Sequence, residues 1–149
     1  MARPSGPAVP ILVAAGVILS VIGSGGAGVG WLNPHLISDQ LPPEAAIDAP
    51  AVGGAAVALG VAIALLGLVH LLIAVALRRE IGVAPTTAVV VTATMAVLSF
   101  GFGVAALVSI ASGAAPAVLM LPAAIALAGA VIAYGAATAA IIGGRKGPI

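Results

Sequence analysis

Read along its length, the chain alternates long apolar blocks with short polar breaks. The blocks cover roughly residues 9–32, 51–77, 86–111 and 117–143. Pro7 and Pro10 open the first and Asn33-Pro34 closes it; Pro50 precedes the second and Arg78-Arg79 follows it; Pro85 and Pro116 introduce the third and fourth. None shows the period-two alternation of a half-buried strand. Each holds about 24–27 residues, and about 20 suffice to cross a hydrocarbon core ~30 Å thick as a helix. Lipid offers no partner to an unpaired backbone N–H or C=O, so helix is the economical conformation. The pattern predicts an all-α membrane protein with four transmembrane helices in a single domain spanning residues 1–149.

The breaks set the expected arrangement. Only residues 112–116 separate the third and fourth blocks, and 78–85 the second and third, so consecutive helices are expected as antiparallel neighbours in an up-down bundle. The proline-rich stretch 33–50 is the only sizeable connection. Arg3 and the Ala/Gly-rich run after Ile22 also suit a secretory signal peptide. The length of the first block, and a Trp31 placed to anchor at an interface, favour a retained helix instead.

Charge orients the bundle. Arg3, Arg78, Arg79, Arg145 and Lys146 all lie at ends that four crossings bring to one side. Asp39, Glu44 and Asp48 fall in the 33–50 connection. Cytoplasmic loops are the ones enriched in Lys and Arg, so both termini are expected in the cytoplasm and residues 33–50 outside, in a multi-pass protein of the plasma (inner) membrane. Composition agrees: 62% of residues are hydrophobic and 6% charged, against about 25% charged in soluble domains. Mean hydropathy is +1.32. A net charge of +1 without a basic cluster argues against nucleic acid. Without cysteine there is no disulfide framework, thiolate metal site or c-type haem attachment. Abundant Ala, Gly and Val with scarce Lys suggest a GC-rich bacterial genome.

Two groups of residues stand out as candidate sites. Gly16, Ser20, Ser24 and Gly28 recur at i+4 on the first helix, with Gly23 and Ala27 alongside. Small residues so spaced form a groove in which a second backbone approaches closely, usually in a right-handed crossing. The comparable series Ala56-Gly60-Ala64, Gly101-Ala105-Ser109 and Gly135-Ala139-Gly143 carry less weight in a chain this rich in Ala and Gly. The second group is a polar layer within the membrane: His70, Thr92 or Thr94, Tyr134 and Thr138 share a similar expected depth. An intramembrane ionisable residue is a functional candidate by default. The plainer reading, preferred here, is one neutral His70 making a single interhelical hydrogen bond to Tyr134 or a threonine of the third helix.

Other patterns carry less. Gly23-Ser24-Gly25-Gly26-Ala27-Gly28 spells G-x-G-x-x-G, but a dinucleotide site needs that motif between a strand and a helix. His35 with Asp39, and Glu44 with Asp48, stand at i+4 in the outer connection; a solvated acidic loop is favoured over a divalent-metal site. His35 and His70 lie on opposite sides, which excludes bis-His haem ligation within one chain. No Asp, Glu, Lys or Arg lies inside a block, so proton-coupled transport through a membrane carboxylate lacks its residue. There is no H-E-x-x-H and no nucleophile–base set. The expectation is a non-enzymatic accessory or structural membrane protein without cofactor, its partners being the lipid bilayer and copies of itself or other membrane subunits. The alternative is a small homo-oligomeric transporter, channel or holin-like pore lined by the His/Tyr/Thr layer.

Overall fold

The computed structural model describes residues 7–39, 48–113 and 117–144, all of whose regular structure is α-helical. Arg3, Glu44, Pro116, Arg145 and Lys146 lie outside the described residues. The elements are α1 (Ala8–Leu32), α2 (His35–Ser38), α3 (Ala49–Arg78), α4 (Ala84–Ala111) and α5 (Ala117–Gly144). Four of them, α1, α3, α4 and α5, are long and apolar enough to cross a membrane. The chain therefore has the build of a multi-pass membrane protein.

Where the helix ends differ from the sequence reading, the local chemistry accounts for it. α3 starts at Ala49 rather than near residue 51 because the Asp48 carboxylate accepts the Ala51 N–H at 3.0 Å. That is the N-cap arrangement, and it draws Pro50 into the first turn, where a missing N–H costs nothing. Pro85 likewise sits in the first turn of α4 instead of ahead of it. Within the 33–50 connection, α2 forms a single turn, closed by Asp39 N–H donating to the His35 carbonyl at 2.9 Å.

At its C-terminus α3 ends in a Schellman-type turn. The Ile81 N–H donates to the Ala76 carbonyl at 3.1 Å, and Glu80 N–H to that of Leu77 at 3.2 Å. Such a turn needs a left-handed residue, usually Gly. Here the position is held by Glu80, with φ 56°, and Gly82 comes two residues too late to serve. α4 closes more conventionally, on Gly113 at φ 72°.

By its contacts the chain falls into two compact units, one of Met1–Leu12 with Ile73–Ile149 and the other of Val13–Leu72. In the first, α4 packs against α5. Its core draws on four helix ends: Ala8 and Leu12 of α1, Ile73, Ala74 and Leu77 of α3, Ala84 and Ala88 of α4, and Ala137 and Ile141 of α5. The alanines among these residues let helix backbones approach where lipid supplies no hydrophobic drive between helices. In the second unit, most of α1 lies against α3 along a line of glycines.

Candidate functional site

The α1–α3 contact is built from three reciprocal glycine pairs. A Cβ placed on Gly16 would lie 2.9 Å from the Gly67 carbonyl oxygen, and one on Gly67 would lie 2.7 Å from that of Gly16. The corresponding distances are 2.5 and 2.6 Å for Gly23 with Gly60, and 2.8 and 2.7 Å for Gly30 with Gly53. The glycines recur every seven residues on both helices, and their partners run in opposite chain order. Between the pairs, Ser20 packs on Gly67 and Ala27 on Gly60, while Ala64 and Ala56 cover Gly23 and Gly30. Each glycine thus points a Cα–H toward a carbonyl of the facing helix, a kind of contact worth about 0.5–1 kcal/mol in general. Not even the methyl of Ala fits at these six positions without moving backbone, because the obstructing atoms include carbonyl oxygens.

This seam differs from the groove read off α1. Gly16 and Ser20 belong to it, but Ser24 is exposed and a Cβ on Gly28 would meet nothing within 4 Å. The contact proceeds through Gly16, Ser20, Gly23, Ala27 and Gly30, alternating steps of four and three instead of repeating steps of four. A seven-residue period of this kind belongs to a left-handed crossing, whereas uniform steps of four suggest a right-handed one. The facing series is Ala56-Gly60-Ala64, one of those given little weight on sequence grounds. Gly101, Gly135 and Gly143, from the other discounted series, have open space where a Cβ would stand. The usable signal was a matching seven-residue spacing on two separate helices, which inspection of α1 alone does not reveal.

The polar residues divide between the units. In the first, Thr92 of α4 and Thr138 of α5 bring their hydroxyl oxygens to 2.7 Å. Thr92 also lies 2.8 Å from the Ala88 carbonyl, and Thr138 2.9 Å from the Tyr134 carbonyl. Two hydroxyls own two protons, so three such contacts cannot all be filled at once. Either Thr92 donates to Thr138 and Thr138 to the Tyr134 carbonyl, or Thr138 donates to Thr92 and Thr92 to the Ala88 carbonyl. Both orders leave each proton used and tie α4 to α5. Tyr134 is buried one turn from Thr138, and Thr94 is exposed, so Thr94 stays out of this cluster.

His70 belongs to the second unit and is fully buried. Its Nδ1 lies 2.7 Å from the Leu66 carbonyl, one turn back on α3. A carbonyl only accepts, so Nδ1 carries the hydrogen and donates it. In the connection between α1 and α3, Asp48 is engaged as the cap of α3 and Asp39 closes α2, where its carboxylate lies 3.5 Å from the Ser38 hydroxyl. No cluster of three or more potential metal ligands occurs among the described residues.

Searches against protein-family models, curated proteins and solved structures find no match to this chain.

Proposed function

We propose that the protein is a non-enzymatic accessory or structural subunit of the plasma membrane, an antiparallel up-down bundle with both termini in the cytoplasm, which assembles with copies of itself or with other membrane subunits. The observation that carries this reading is how the buried polar side chains use their hydrogen bonds. Thr92 and Thr138 share their two protons between each other and carbonyls of their own helices, and His70 Nδ1 donates to the Leu66 carbonyl of α3. Groups so engaged serve packing, whereas a conducting path requires polar groups turned to water. The orientation rests on Arg78 and Arg79 at one end of α3 and on Asp39 and Asp48 at the other, in keeping with the bias of cytoplasmic loops toward cations.

Reconstitution tests the role. Vesicles containing the protein are expected to show no proton or solute flux above empty vesicles, and His70→Gln is expected to leave assembly unchanged. A flux that disappears in His70→Gln while the variant remains folded would establish the pore reading instead. Orientation is checked with single cysteines in intact cells. Those at Ser38 and Ser112 are expected to react with a membrane-impermeant maleimide, and one at Gly82 to stay unlabelled; the opposite pattern inverts the topology.

A further inference from the structure

Beside the seam, within the Val13–Leu72 unit, lies an open groove of about 350 Å³. Ile22 and Val29 of α1 and Leu59 and Ile63 of α3 form its sides, Gly26 contributes bare backbone, and Ile37 of α2 lines it from the 33–48 connection. We propose that this groove holds one acyl chain of a phospholipid from the leaflet on the side of α2, with an ammonium-bearing headgroup beside Asp39.

Three features select this occupant. The lining residues are all apolar, so water and headgroup atoms find no hydrogen-bonding partners there. Size separates an acyl chain from a helix. The groove runs along two turns of α1, from Ile22 to Val29, about 10 Å at 1.5 Å per residue. Two turns of a helix about 10 Å across occupy roughly 800 Å³, so a helix would seat only one face in this groove. At about 30 Å³ for a group the size of water, the groove instead takes roughly a dozen methylenes, the bulk of one acyl chain. Lipid gains no hydrophobic energy by entering, so the drive is contact with groove walls that would otherwise lack partner atoms.

Charge selects the headgroup. The described charged residues at this end are Asp39 and Asp48, both acidic, whereas Arg78 and Arg79 stand at the far end of α3. Asp48 is committed to the Ala51 N–H. Asp39 is exposed and lies two residues beyond Ile37, so it is the acid placed to meet a cationic headgroup. An anionic lipid would meet like charge there.

Open glycines provide the test. A Cβ on Gly26 meets nothing within 4 Å, so Gly26→Leu fills the groove without touching the seam. Gly54 is equally open but does not line the groove, so Gly54→Leu is the matched control. The full-length protein, exchanged into bilayer discs of equal phosphatidylethanolamine and phosphatidylglycerol, is ejected into a native mass spectrometer. Wild type and Gly54→Leu are expected to retain one phosphatidylethanolamine, Gly26→Leu to retain at least ten-fold less at a melting temperature no lower than that of wild type, and Asp39→Asn to take both lipids equally. As a second readout, lipids brominated on the acyl chain are expected to quench Trp31, the only tryptophan, more strongly in wild type than in Gly26→Leu. Equal retention and equal quenching in wild type and Gly26→Leu would overturn the proposal. A change of oligomeric mass in Gly26→Leu without a change in lipid would assign the groove to a protein helix. Asp39→Asn keeping the wild-type preference would remove the headgroup assignment.

Discussion

The seam makes a prediction whose sign depends on which glycine is changed. In Gly23→Ala the new methyl carbon would lie 2.5 Å from the Gly60 carbonyl oxygen and also against the Ala64 backbone. Ordinary carbon–oxygen contact needs about 1 Å more, and neither obstacle is a side chain able to rotate away. The helices must therefore part by close to that amount. A gap of 0.5–1 Å forfeits a quarter to a half of each dispersion well along the contact. Overpacking of this kind typically costs about 1–3 kcal/mol, and rigid obstacles place this case near the upper end. Replacing Gly by Ala in a helix returns about 1 kcal/mol of propensity. The net expectation is a loss of about 2 kcal/mol for Gly23→Ala, and likewise for Gly60→Ala. Gly28→Ala and Gly54→Ala, where nothing stands within 4 Å, are expected to gain about 0.5–1 kcal/mol instead. Equilibrium unfolding in mixed micelles, followed by Trp31 fluorescence one residue from Gly30, reads both signs in one assay. If all four variants shift stability in the same direction and by similar amounts, the seam as described is wrong. Ser20→Leu and Ser24→Leu extend the comparison. The first is expected to destabilise because Ser20 lies on Gly67, and the second to be near neutral because Ser24 is exposed.

Two further expectations concern the first unit and the turn that leaves α3. Thr92→Val and Thr138→Val are each expected to cost less than about 2 kcal/mol, with a double-mutant coupling of about 0.6 kcal/mol and an upper bound near 1.7. A coupling of zero would remove the hydroxyl pair as a tie between α4 and α5. Glu80→Gly is expected to stabilise by about 0.5–1 kcal/mol in the same unfolding assay, because a left-handed non-glycine residue costs about 1–2 and the added chain freedom of Gly returns about 0.4–1. Destabilisation would mean that the Glu80 side chain contributes something the backbone geometry does not express.

Most of the element plan was legible in the sequence, because it depends on terms that act locally. Blocks of some 25 apolar residues between prolines and charges specify spanning helices wherever lipid is the solvent, since the backbone has no other way to satisfy itself there. The ends moved by only a residue or two, where Asp48 capped α3 and where Pro50 and Pro85 proved to be first-turn residues. α2 was missed because a single turn after Asn33-Pro34 has no periodicity to reveal it. The contacts between helices were another matter. In a chain this rich in Gly and Ala nearly every helix face carries small residues, and lipid imposes no inside–outside contrast to mark the buried one. Gly28 and Gly30 are both glycine within one turn of α1, yet Gly28 meets open space and Gly30 packs on Gly53. Thr92 and Thr94 differ as sharply, one bonded to Thr138 and the other exposed. Which of two like residues does the packing depends on the register between segments distant in sequence, and only the tertiary structure fixes that.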